Sequence, residues 1–228
     1  MPAVATGPAA SYGANAPKED DGKAILLEYA AAEIHKGKAQ GAIDEYLDPV
    51  ITYYHQTYGS TSYKVYCSSS PNEALMYMLM SLKTKQPAVA LHSTWCDAVF
   101  LKAYALINLG RPDEAKPLIE EAIAHAPSNS HYLSELGNWY QQKKDWPNAL
   151  GTFSRALEAA PLMPAEVQKA EKGRALRGTG YSLSELGRYD EAEDAYHNAL
   201  TLDPNDKVAQ AELVYIAHKR GKGSPIKS

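Results

Sequence analysis

Residues 110–127, GRPDEAKPLIEEAIAHAP, recur twice further along the chain, as KDWPNALGTFSRALEAAP at 144–161 and GRYDEAEDAYHNALTLDP at 187–204. The first step is 34 residues and the second is 43, an excess of nine. Within each copy an alanine, a bulky apolar residue, a second alanine and a proline keep their places. These are Ala115, Ile119, Ala122 and Pro127, then Ala149, Phe153, Ala156 and Pro161, then Ala192, Tyr196, Ala199 and Pro204. The spacing of the first three puts them on one helix face, and the proline denies that helix another turn. A unit of this length is a helical hairpin that cannot bury its apolar face alone and stacks on its neighbours.

Each copy is preceded by a second helical run. Val99, Ala103 and Leu106 lead to Gly110; Leu133, Leu136, Gly137 and Tyr140 lead to Lys144; Leu176, Gly180 and Leu183 lead to Gly187. Thr94, with Asp97 three residues on, reads as a capping-box start, Pro112 opens one return helix and Asp145 caps another. Lys144 stands where the other turns carry glycine, so a left-handed residue there costs of order 1 kcal/mol. The nine extra residues fall in LMPAEVQKA, 162–170, and predict a first helix of the third unit longer by ~2.5 turns, with Gly173 inside it. A last helix, Asn205 to about Lys219, is polar on much of its circumference, as the open end of a solenoid requires.

The N-terminal third is less regular. Ile25, Leu26, Tyr29, Ala30 and Ile34 share a helix face that ends at Gly37. Ala42, Ile43, Tyr46, Leu47, Val50, Ile51 and Tyr54 continue in a second helix, which Pro49 either kinks or restarts behind an Asp48 cap. The pair reads as a degenerate first repeat. Residues 58–70, with GSTSYKVYCSSS, read as an extended connection. Ser70, Pro71 and Glu73 then start a helix on which Leu75, Met76, Met78 and Leu79 crowd, and 88–91 is a short apolar run that suits either a helical turn or a strand.

The resulting division is a flexible leader at 1–22, a degenerate helical region at 23–90, three regular units at 91–204, a capping helix at 205–220 and a basic tail at 221–228. The expected fold is all-α: a right-handed α-solenoid of antiparallel helix pairs. Hydrophobic residues at 45% and charged residues at 22% are the balance of a globular chain. A net charge of −4 gives no general attraction to nucleic acid, although Lys219, Arg220, Lys222 and Lys227 leave the last residues basic. No apolar stretch suffices for membrane insertion. The leader is rich in Ala, Gly and Pro; it suits the segment after a cleavage site of an exported, periplasmic protein, or a cytoplasmic leader.

Cys67 and Cys96 are the two cysteines. In an oxidising compartment they can close a loop worth ~3 kcal/mol; two separate buried thiols are the alternative. With His55 and His92 they also make a zinc-type inventory, but its ligand spacing is poor, so no metal is expected. No Walker loop, HExxH, GxGxxG or GxSxG occurs. Neither catalysis nor a cofactor is expected.

The three units from Cys96 to Pro204 resemble the tetratricopeptide repeat: Ala103, Gly137 and Gly180 are the small residues at each hairpin crossing, with Ala115, Ala149 and Ala192 opposite. The resemblance implies a concave groove, lined by the first helix of each unit, that takes a peptide. Carried over, it places Phe100, Tyr104, Ile107 and Asn108 on one wall, His131, Ser134, Glu135, Asn138 and Gln142 on the next, and Arg177, Tyr181 and Glu185 on the third, with Tyr215 and His218 beyond. Some relatives clamp a C-terminal carboxylate with Lys and Asn; here Phe100 takes the first Lys position, which argues against that mode. The function implied is a peptide-binding scaffold for an unidentified partner protein, expected in a bacterial envelope. The alternatives are a cytoplasmic chaperone holding an export substrate and a homodimeric structural subunit associating through the long third-unit helix.

Overall fold

The computed structural model describes residues 22–223, so most of the leader and the end of the basic tail lie outside it. The chain opens with α1 (Lys23–His35), which turns at Gly37 and returns through α2 (Ala39–Ala42), one π-helical turn (Ile43–Leu47) and α3 (Asp48–Tyr58). The π turn settles what Pro49 does. A wider turn just before the proline carries the helix past its missing N–H without a break. Asp48 does not cap; its carboxylate accepts a bond from Lys102 Nζ at 2.6 Å.

Next come β1 (Lys64–Ser68), α4 (Pro71–Thr84) and β2 (Ala88–His92). The strands run parallel, Lys64 opposite Ala88 through Ser68 opposite His92, and α4 is the crossover that packs on both. The solenoid therefore carries one β-α-β insertion between its first and second hairpins. The run at 88–91 is a strand because β1 offers it a pairing partner. Ser70 caps α4 by accepting the Glu73 N–H at 3.1 Å, and the buried Glu73 carboxylate accepts from the Ser69 N–H and hydroxyl, each at 2.7 Å.

The array continues through α5 (Thr94–Asn108), α6 (Pro112–His125), α7 (Ser130–Gln142), α8 (Trp146–Ala159), a 3₁₀ turn (Ala160–Leu162), α9 (Ala165–Glu185), α10 (Tyr189–Leu202) and α11 (Lys207–Gly223). Thr94 is the first helical residue rather than the cap: Ser93 precedes it, and its own hydroxyl pairs with His92 Nδ1. α9 runs unbroken through Gly173 and is longer than α5 or α7. α11 starts at Lys207, two residues later than its sequence suggests, because Asp206 is the residue that accepts the Val208 and Ala209 N–H groups.

All four hairpins close alike. Gly110 N–H bonds the Ile107 carbonyl and Arg111 N–H the Leu106 carbonyl; the same pair of bonds recurs at Gly37 and Lys38, Lys144 and Asp145, and Gly187 and Arg188. This is a Schellman closure, which needs a left-handed residue. Gly37, Gly110 and Gly187 supply it, and Lys144 adopts it at φ 59°. The first hairpin is thus a genuine fourth unit, and α1 and α3 pack on α5 as a preceding repeat should.

Packing follows the repeat. Ala42, Ala115, Ala149 and Ala192 are all fully buried. A Cβ on Gly137 would stand 2.7 Å from the Phe153 ring, one on Gly178 closer still to it, and one on Gly180 2.7 Å from Tyr196. Phe153 is therefore wedged between its own hairpin and the next. The Cys67–Cys96 disulfide joins the end of β1 to the first turn of α5. Beside it Trp95 is buried among Tyr54, Tyr58, His55 and His125. Ser70 Oγ donates to the Leu162 carbonyl at 2.6 Å and the Ser128 N–H donates to Tyr77 Oη at 3.2 Å. These bonds seat the insertion on the loops between successive hairpins, along one edge of the array.

Two outcomes follow for stability. Gly137→Leu is expected to lower unfolding free energy by ~1–3 kcal/mol through overpacking against Phe153, while Glu158→Gln on the exposed face changes it by less than about 0.5 kcal/mol; urea denaturation compares the two. His125 donates from Nδ1 to the Val65 carbonyl at 2.8 Å with its ring 4.3 Å from Trp95. Burial, aided by Lys64 and His55 and opposed by that bond and Glu121, holds its pKa below the ordinary value. The unfolded chain takes this proton first, so stability present above about pH 6.5 falls as the pH drops below it. His125→Gln is expected to show a smaller loss of melting temperature between pH 8 and pH 5.5 than the parent.

Candidate functional site

One register position on the first helix of successive units carries Tyr104, Asn138, Tyr181 and Tyr215, the steps being 34, 43 and 34 residues. α5, α7, α9 and α11 bring these onto a common face. The tyrosines are 41%, 39% and 44% exposed, while Asn138 is half-buried and donates to Glu135 Oε2 at 3.3 Å.

On the first wall Phe100 is half-buried, stacked on Tyr132 at 4.8 Å with its edge toward His131 at 5.0 Å. Tyr132 is fixed beneath it by donating its hydroxyl to Asp97 Oδ1 at 2.5 Å. Burial and the Asp97 charge push that phenol well above its ordinary pKa, so it stays a donor. Tyr104 and Asn108 are exposed and Ile107 is half-buried.

The second wall is internally engaged. His131 Nδ1 donates to Glu171 Oε1 at 3.1 Å, and Arg174 reaches both Glu135 at 3.2 Å and Glu171 at 3.4 Å. Burial works to raise the Glu171 pKa, but the His131 bond and the His131 and Arg174 charges outweigh it and hold the carboxyl low. Gln142 is exposed. Ser134 does not line the groove: it is fully buried, on the same face of α7 as Ser130 and Gly137, where the packing surface lies.

Arg177, the expected anchor cation, is already committed. It donates to Asp206 Oδ2 at 2.7 Å, and that carboxylate is nearly buried and also caps α11. Desolvation opposes the charge on Asp206, but the Ala209 N–H and Arg177 outweigh it and keep its pKa low. The pair therefore docks the last helix. Tyr181 projects beside Trp146 at 6.0 Å, with Glu185 exposed one turn on and His218 exposed on α11.

Three residues of this face escaped the repeat register. Gln141 donates to the Gly178 carbonyl at 2.9 Å and to Ser182 Oγ at 3.0 Å, tying α7 to α9. Glu171 and Arg174 lie just beyond the nine-residue insertion, Glu171 in the extension of α9 and Arg174 at the register position of His131, and the insertion was the signal that pointed to Glu171.

Elsewhere, α4 leaves Leu75, Leu79 and Leu82 exposed at 60%, 52% and 73%; Glu73, Ala74 and Tyr77 are the side chains it buries. A cleft of about 310 Å³ between α2–α3 and α5–α6 is lined by Asp48, Lys102, Arg111 and Glu114, which pair with one another. The disulfide uses both sulfurs of the zinc-type set, and the described residues hold no cluster of metal ligands. Among the described residues no helix is long and apolar enough to cross a membrane.

The architecture defines an α-solenoid of stacked hairpins whose first helices share a continuous face. The chain carries tetratricopeptide repeats: models of that repeat match residues 100–164 and 174–206. Among solved structures it is similar to pilF of Pseudomonas aeruginosa at 13% identity, covering 90% of this chain and 71% of that one with a TM-score of 0.60. It is also similar to a putative kinesin light chain of Podospora anserina at 15% identity, covering 88% and 87%, TM-score 0.59. The first repeat domain of Spaghetti (RPAP3), bound to the HSP90 peptide SRMEEVD, is 20% identical and covers 57% of this chain and 95% of its own, with a TM-score of 0.50. No curated protein matches the chain.

Proposed function

We propose that this array is a non-catalytic scaffold that holds a peptide segment of a partner protein in the groove lined by α5, α7, α9 and α11. The row of Tyr104, Tyr181 and Tyr215 carries this reading. Rings on rigid helices that keep about two-fifths of their surface in water lose little entropy on binding and are the residues on which interfaces concentrate energy. The solved relative that holds an HSP90 peptide supports the same use of the fold. Its acidic peptide is a poor guide to the ligand here, because Phe100 stands at the clamp's Lys position and Arg177 is neutralised by Asp206.

The protein's setting in this reading is a bacterial envelope. The Cys67–Cys96 bridge supports it, since disulfides persist in oxidising compartments.

Joint replacement Phe100→Ala, Tyr104→Ala and Tyr181→Ala is expected to abolish capture of the partner by immobilised protein from an extract of the native cells. Undiminished capture by a variant of unchanged melting temperature overturns the groove. For the compartment, protein purified from those cells, denatured without reductant and titrated with a thiol reagent, is expected to show no free thiol. Two thiols per chain would restore the cytoplasmic chaperone.

A further inference from the structure

The groove is electrostatically divided along its length. In its middle the two arginines are spoken for: Arg174 by Glu135 and Glu171, and Arg177 by Asp206. At its α9–α11 end the imbalance is of the other sign. Tyr181 and Glu185 stand one turn apart on α9, and Glu212 and Tyr215 one turn apart on α11, the adjacent helix. Among the described residues neither glutamate forms an ion pair. The two carboxylates feel each other: burial, and after it the Glu185 charge, raise the Glu212 pKa, and both acids raise that of Tyr181 after burial.

Two further observations point to what this end would accept. Lys219, from the chain itself, holds its ammonium 5.3 Å from the centre of the Tyr215 ring, and its bond to Tyr215 raises its pKa. A cation is thus already accommodated on one ring of the cluster, with the Glu185 charge adding to its hold. Beneath, Tyr196 is fully buried with its ring against Gly180 and its hydroxyl beside that of Ser184. Burial, and after it the charges of Glu212 and Glu185, raise the pKa of that phenol against a bond with Ser184. Two carboxylates without an ion pair, beside two half-exposed rings, are a place where a donor-rich group gains the contacts it makes.

We infer that the α9–α11 end of the groove, formed by Tyr181, Glu185, Glu212 and Tyr215, is a subsite for a lysine or arginine side chain, and that the peptide bound by this scaffold is basic. The inference rests on the groove being the binding face. Its chemistry is the opposite of a carboxylate clamp: rings supply cation–π attraction, carboxylates supply charge-assisted acceptors, and the paired arginines upstream contribute no net attraction for an acidic chain.

The test uses the full chain to select from a random 12-residue peptide library displayed on phage, followed by anisotropy titration of the enriched peptides. Enriched peptides are expected to carry Lys or Arg. Glu185→Gln with Glu212→Gln should weaken them about tenfold, with less salt dependence than the parent, whereas Glu166→Gln near the start of α9 should leave affinity unchanged. Enrichment of acidic or uncharged peptides, or an unchanged affinity in the double variant, overturns the basic subsite while leaving the groove as the binding face. Equal enrichment by the parent and by the triple variant at Phe100, Tyr104 and Tyr181 overturns the groove itself.

Discussion

Phe153 is the contact on which the array turns. Its ring lies over Gly137 of its own hairpin and under Gly178 of the next, closer to both than any side-chain carbon would allow. The same residue thus closes one unit and spaces it from its neighbour. Tyr196 repeats the first half of this role on Gly180, and Ile119 is buried at the corresponding place in the unit before. Each hairpin buries its apolar face only through such shared contacts, so stability passes from neighbour to neighbour along the chain. The face carrying the first helices is left free for binding because the packing is settled on the other side of each helix.

The irregular parts act on that face or on its edge. The extension of α9 brings Glu171 against His131, and Arg174 one turn on pairs with Glu135 and Glu171, converting the middle of the groove from open polar surface into a network of paired charges. Asp206 takes up Arg177 and starts α11 in one stroke. What remains without an ion pair among the described residues is a tyrosine row with an acidic end. The β-α-β insertion sits at the edge of the array and is fastened by the disulfide, by the Ser70 and Tyr77 bonds and by the packing of Trp95. It leaves a leucine-rich face of α4 in solvent.

Much of this was legible in the chain. The alanines, Phe153, Tyr196 and the glycines of the turns recur at a fixed step, and period is a local property that needs no knowledge of contacts. In the register Tyr104, Tyr181 and Tyr215 fall on exposed positions of successive first helices. It failed at Ser134, because a one-residue difference around a helix separates groove from core and a small polar residue is tolerated on either side. It also had no means of showing that Arg177 is occupied, since its partner lies 29 residues away on another helix.

By itself the sequence determined the repeat, the hairpin turns with Lys144 in a glycine's place, and which residues are small or large at each crossing. Those are set by backbone sterics and by periodic burial within a few turns of chain. Only the tertiary structure decided that 88–92 is a strand, that Cys67 and Cys96 are bridged, that the first hairpin closes like the others and which charges of the groove are spent. Each of these depends on groups distant in sequence meeting at hydrogen-bond or bonding distance, and such meetings leave no period to read.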